Sequence, residues 1–200
     1  MIAGIDLSEK NGHIHWNLLE GMQFSFAYIK ASEGIDCVDS AFGDNLKKLS
    51  KHGILVGAYH WLQPEMHVGQ QVDLFIQTVK DFKGMLQPAI CLETYGATQE
   101  EMEKNVSAFL ILLEKKSGVK PIIYTSIQYW KTYLPKAAWG CNYPLWIDEP
   151  GIVWPSQLWP WAGWTFWQYC YESLLPGVPT TLGLNWFNGS LSSLKKMIIN

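Results

Sequence analysis

Pro88-Ala89-Ile90-Cys91-Leu92-Glu93, followed by Thr98-Gln99-Glu100-Glu101 and, after Gly118, by Pro121-Ile122-Ile123-Tyr124-Thr125, decides how the chain folds. The first run is short, apolar and opened by proline, as a buried strand requires. Thr98 and Glu101 have capping-box spacing, in which a hydroxyl and a carboxylate satisfy free backbone N–H groups at a helix start. Met102, Val106, Phe109, Leu110 and Leu113 then recur at helical period and share one face. Gly118 supplies the stop, and a second apolar run follows. Strand, helix and strand in succession make a β/α unit.

The same alternation extends in both directions. Further strands are predicted at 2–6, 24–30, 54–60, 144–148 and 164–169, with a weaker one at 182–185. Helices are predicted at 41–52, with Phe42, Leu46 and Leu49 inward, and at 67–82, with Val68, Val72, Phe75, Ile76 and Val79 aligned. After Thr125 the helices shorten, and 135–160 carries tryptophan, proline and glycine instead. Eight strands with incomplete helices predict the α/β class: an irregular, TIM-like β/α barrel with short or missing helices in its second half, forming a single domain over residues 1–200. A doubly wound open sheet is the alternative.

Composition excludes several function classes. Of 200 residues 48% are hydrophobic and 16% charged, so a sizeable core forms and general disorder is excluded. The net charge is −3, and all 15 cationic side chains are lysine. Without arginine, the usual fork for phosphate and guanine, a nucleic-acid partner is not expected. No apolar run reaches the ~18 residues of a membrane span, and Met1-Ile2-Ala3-Gly4-Ile5-Asp6 does not read as a signal peptide. Cys37, Cys91, Cys141 and Cys170 form no C-x-x-C pair, and their pairing stays open. His13-x-His15 lacks a third ligand nearby and reads as a solvated turn; no metal or cofactor is expected. Eight of the 11 tryptophans fall between Trp139 and Trp186. Trp154, Trp159, Trp161 and Trp164 read equally as sugar-stacking rings or as packing on the short-helix side.

Polar residues gather at the C-terminal ends of the proposed strands: Asp6, Glu33, Tyr59-His60, Glu93, Tyr124, Asp148 and Gln168. In a β/α barrel those ends share one rim, where active sites sit. Strand alternation puts Cys91 and Glu93 on one face. Desolvation at the barrel mouth would raise the Glu93 pKa, as a general acid for glycosidic cleavage needs. A Cys91–His60 nucleophile has no supporting signature.

Gly4-Ile-Asp-Leu-Ser8, Tyr28-Ile-Lys-Ala-Ser-Glu-Gly34, Val56-Gly-Ala-Tyr-His60, Pro121-Ile-Ile-Tyr-Thr-Ser126, Pro144-Leu-Trp-Ile147, Thr165-Phe-Trp-Gln-Tyr169 and Leu184-Asn-Trp-Phe-Asn-Gly189 occur in this order. Together they closely resemble the catalytic domain of the glycoside hydrolase family 25 lysozymes, the Chalaropsis-type N-acetylmuramidases. The resemblance implies a bacteriolytic hydrolase of the cell wall, which cleaves the β-1,4 bond between N-acetylmuramic acid and N-acetylglucosamine in peptidoglycan. It implies Glu93 as the catalytic acid and Asp6 as a first-strand carboxylate of the groove. It also implies groove positions at Glu33, Tyr59, Tyr124, Trp146, Trp167 and Gln168, to which His60, Cys91 and Asp148 are added as substrate-binding residues of the rim.

Two family acidic positions are replaced. The aspartate of the Asp-x-Glu motif is Cys91, and the late aspartate before Leu184 is Gly183. A thiol with a pKa near about 8.5 is mostly neutral at pH 7 and does not supply a carboxylate's charge. Asp6 and Asp148 are the substitutes in reach, and an aspartate restored at 183 is expected to add to the groove. The alternative reading is a degenerate barrel that binds glycan or builds a larger assembly without turnover. The expected partner is peptidoglycan or a related glycan, met by a monomer made in the cytoplasm and released by lysis or a non-Sec route.

Overall fold

A computed structural model describes residues 1–19 and 23–199. Its strands are β1 (Ile2–Leu7), β2 (Phe26–Glu33), β3 (Cys37–Val38), β4 (Leu55–Trp61), β5 (Ala89–Cys91), β6 (Ile122–Thr125), β7 (Leu145–Asp148), β8 (Phe166–Leu174) and β9 (Thr181–Phe187). They lie in the order β1-β9-β8-β7-β6-β5-β4-β2-β3, and pairing of β1 with β2 closes eight of them into a barrel. The helices are α1 (Phe42–Lys51), α2 (Val68–Val79), α3 (Gln99–Ser117), α4 (Ile127–Tyr133) and α5 (Leu191–Lys195). Among the described residues no helix is long and apolar enough to cross a membrane.

The predicted α/β barrel forms, and its second half is irregular as expected. No α-helix separates β7 from β8. The weak eighth strand is longer than predicted and runs antiparallel to both of its neighbours, β8 and β1. The short link from β8 has no room for the crossover that a parallel strand needs. The α3 start carries the predicted capping box between Thr98 and Glu101, and Gly118 ends the helix at φ 76°. Three predicted strands move: 24–30 becomes Phe26–Glu33, 164–169 becomes Phe166–Leu174, and 88–93 contracts to Ala89–Cys91, leaving Glu93 just past the strand.

Period-two alternation sorts each strand into two cores. Outward residues such as Ile29, Ala58, Ile90, Ile123 and Ile147 pack under Val72, Phe75, Val106 and Phe109 of the helices. Inward residues are mostly aromatic: Phe26, Tyr28, Tyr124, Trp146, Phe166 and Phe187. Tyr28 stands 4.9 Å from Trp146 and 5.4 Å from Phe166, ring centre to ring centre. Gly57 makes this filling possible, because a Cβ there would overlap the Tyr28 ring. Leu86, Leu194, Met197 and Ile198 join the inner cluster, and Leu86 bridges to Ile198. A barrel packed with rings leaves polar groups only its C-terminal mouth.

Candidate active site

At that mouth Asp6, Tyr59, Trp61, Cys91, Glu93, Tyr124 and Trp146 line a small cavity of about 60 Å³. Six strands contribute to one hydrogen-bonded system. The Asp6 Oδ1 accepts from Asn185 Nδ2 at 2.7 Å and from Gln168 Nε2 at 2.5 Å. The Tyr124 hydroxyl donates to Gln168 Oε1 at 2.7 Å and lies 3.4 Å from Glu93 Oε1. Cys91 Sγ reaches Glu93 Oε2 at 3.4 Å, and Trp146 Nε1 donates to Asn185 Oδ1 at 2.8 Å. The network therefore runs from Glu93 through Tyr124 and Gln168 to Asp6, and on to Asn185 and Trp146.

The electrostatics follow from shared burial. Desolvation raises the Asp6 pKa, against the lowering effect of its two amide donors. Glu93 is also raised, first by desolvation and then by the charge of Asp6, while Cys91 and Tyr124 pull the other way. Asp148, the last residue of β7, is pushed up to about 7 by desolvation and by the charges of Glu93, Asp6 and Glu149. Burial drives the Cys91 thiol well above its usual range, so it meets Glu93 as a neutral group.

Not every residue expected at the rim faces the mouth. His60 is fully buried on the outer side of β4, between Ser32 Oγ at 2.9 Å and Gln71 Oε1 at 3.1 Å. It stacks on Phe109 of α3 at 5.1 Å, and desolvation lowers its pKa to about 4. It pins helices to the sheet, and the sheet separates it from Cys91. Trp167 is likewise outward: it packs 5.7 Å from Trp164 and donates to the Glu149 carbonyl at 2.9 Å. Both corrections follow from alternation, since Tyr59 and Gln168 are the inward neighbours of His60 and Trp167. Glu33 is tied to the Lys30 ammonium and accepts from Gln63 Nε2 at 2.7 Å. Lys30 in turn sits 5.3 Å from the Trp61 ring, which places Glu33 behind that wall.

Gly183 pairs directly with Asp6 across β9 and β1. A Cβ at this position would collide with Asp6 Oδ1 and with Gln168 Nε2. A restored aspartate would therefore have to push both side chains aside and open the bond between them before it could add to the groove.

The tryptophan-rich stretch builds a second, larger cavity of about 810 Å³, lined among others by Trp154, Trp159, Trp161, Trp164, Lys131 and Asn188. Trp161 and Trp164 are buried packing residues, whereas Trp154 and Trp159 are half exposed. No carboxyl lines this cavity, so acid–base chemistry belongs to the smaller one. His13 and His15 meet edge to face at 5.3 Å, and the four cysteines are free.

Trp61 and Asn185 are site residues that reading the chain missed. Alternation held the signal for both: Trp61 follows inward Tyr59 by two positions, and Asn185 follows Gly183 by two. Lys10 and Lys30, 5.9 and 5.3 Å from the Trp61 ring, carried no such mark.

The sequence model of the Glycosyl hydrolases family 25 matches residues 5–178. The uncharacterized protein YegX of Escherichia coli strain K12 is 32% identical over 98% of this chain and 73% of its own length. Lysozyme M1 of Streptomyces globisporus is 29% identical over 100% of this chain and 72% of its own. The crystal structure of the bacterial lysozyme from Streptomyces coelicolor superposes with a TM-score of 0.91 at 28% identity, covering 98% of this chain and 96% of that one. The barrel, its carboxyl-lined mouth and these matches agree: the chain belongs to glycosyl hydrolase family 25.

Proposed function

We propose that the chain is a peptidoglycan hydrolase, a lysozyme that cleaves the β-1,4 bond between N-acetylmuramic acid and N-acetylglucosamine, with Glu93 as proton donor and Asp6 as its supporting carboxylate. One observation carries the assignment of roles: the Glu93–Tyr124–Gln168–Asp6 network at the floor of the mouth. Glycosidic cleavage needs a carboxylic acid that still holds its proton near neutral pH, beside a group that tolerates positive charge. Desolvation and the charge of Asp6 both favour protonated Glu93. Two amide donors offset part of the desolvation that raises the Asp6 pKa and so favour its charged form. Glu93 gives its proton to the glycosidic oxygen as the bond breaks, and water completes hydrolysis at the sugar carbon.

Tyr59, Trp61 and Trp146 wall the cavity and offer ring faces to sugar. Because the substrate lies in the cell wall, the enzyme acts where it meets the wall. The test is release of new N-acetylmuramic reducing ends from purified bacterial walls. Glu93→Gln keeps the shape of the side chain but has no acidic proton, so turnover is expected to fall on the order of a thousandfold with unchanged melting behaviour. Retained turnover in that variant would move the acid to another residue.

A further inference from the structure

Hydrolysis of a glycosidic bond works through two carboxyls, an acid and a group facing the charge that develops on the sugar. Three aspartate and glutamate side chains act on one another at the mouth: Asp6, Glu93 and Asp148. Asp6 is already engaged, its Oδ1 held by two amide donors, and its register partner on β9 is Gly183. Asp148 differs on every count. It follows inward Trp146 by two residues on β7, so it rises on the same face. Its β8 partner in register is Gln168, whose side chain is bonded to Asp6 and to Tyr124. Its Oδ1 is buried and has no hydrogen-bond partner. A buried carboxyl oxygen without a donor is costly, and such exceptions cluster where a ligand supplies the missing contact.

We propose that Asp148 is the second catalytic carboxyl of this enzyme, facing the sugar carbon from β7 while Glu93 faces the leaving oxygen from beyond β5. This rests on the hydrolase reading above and adds a residue to it. Cys91, neutral and beside Glu93, cannot hold the charge, and the carboxyl that can stands across the mouth. The titratable groups acting on Asp148 are Glu93, Asp6 and its neighbour Glu149, and Asp148 acts in turn on Cys91 and Tyr124. Three carboxyls so close do not all ionise together, and they share protons as a set. The working form has its proton on Glu93 and its charge on Asp148. As the C–O bond breaks, its electron pair and the Glu93 proton go to the leaving oxygen. The cationic sugar then faces Asp148 until water adds and returns a proton to Glu93.

The test compares wild type, Asp148→Asn and Asp148→Ala for reducing-end release from purified cell walls, across pH and with kcat separated from KM. Asp148→Asn is expected to lower kcat on the order of a hundredfold or more, with KM within a few-fold. Its pH profile should lose the limb set by Asp148. Added sodium formate should restore part of the Asp148→Ala rate by filling the vacated carboxyl position, an effect that a packing role would not give. Wild-type turnover with Asp148→Asn within threefold of it would overturn this assignment alone. No reducing ends from wild type would overturn the hydrolase reading, and this assignment with it.

Discussion

On the β1–β9–β8 side of the mouth, Asp6 receives hydrogen bonds from Asn185 and Gln168 and lies against the backbone of Gly183. On the β5–β7 side, Glu93 has a thiol and a shared tyrosine hydroxyl at 3.4 Å each, and Asp148 Oδ1 has no partner. Both sides are desolvated, so the difference lies in donors rather than in burial. Donors keep a buried carboxylate charged; without them the group holds its proton to higher pH. One side of the mouth thus holds a carboxyl tied by two amides, and on the other Glu93 and Asp148 compete for protons, so that one can carry the proton and the other the charge that acid-assisted cleavage requires.

The contrast breaks first at Gly183. Gly183→Asp is expected to cost about 1–3 kcal/mol of unfolding free energy, since its Cβ would displace the side chains of Asp6 and Gln168. Denaturant unfolding reads the loss, and wall hydrolysis should fall with it because the Asp6 carboxyl moves. Gain of activity in this variant would mean that Asp6 and Gln168 swing aside without loss, and the tightly bonded side would lose its explanation.

A smaller effect comes from the outer face of the sheet. His60→Ala removes a ring stacked on Phe109 and leaves Ser32 and Gln71 with unfilled bonds. About 2 kcal/mol of stability should be lost, with kcat/KM of the folded enzyme within about twofold of wild type. A large drop in kcat/KM without loss of stability would return His60 to the mouth.

Much of this was legible in the chain because period and chemistry coincide there. Glu93 follows a buried run that ends at the rim, and Thr98-Gln99-Glu100-Glu101 opens α3 as its spacing says. His60 and Trp167 were misplaced where polarity and aromatic character outweighed alternation, although alternation decides which face a strand residue takes. The contact of position 183 with Asp6 and Gln168 was hidden for a different reason. It depends on the register of β9 against β1, a pairing between residues at opposite ends of the chain. The antiparallel course of β9 was equally invisible, since it follows from the missing helix before it and not from its own residues.

The carboxyl without a donor has a direct signature. A carboxyl whose pKa is raised on folding holds a proton that the unfolded chain releases, so it costs stability as pH rises from about 4 towards 7. Asp148→Asn escapes that cost, and its stability should match wild type at pH 4 and exceed it at pH 8. The most direct measurement is a pH titration of the aspartate side-chain carbons by nuclear magnetic resonance, in wild type and in Asp148→Asn. The expected result is one aspartate that titrates near 7 in wild type and whose signal is missing from the variant. A wild-type protein in which every aspartate has ionised by pH 5 would contradict the unequal division of donors and protons across the mouth.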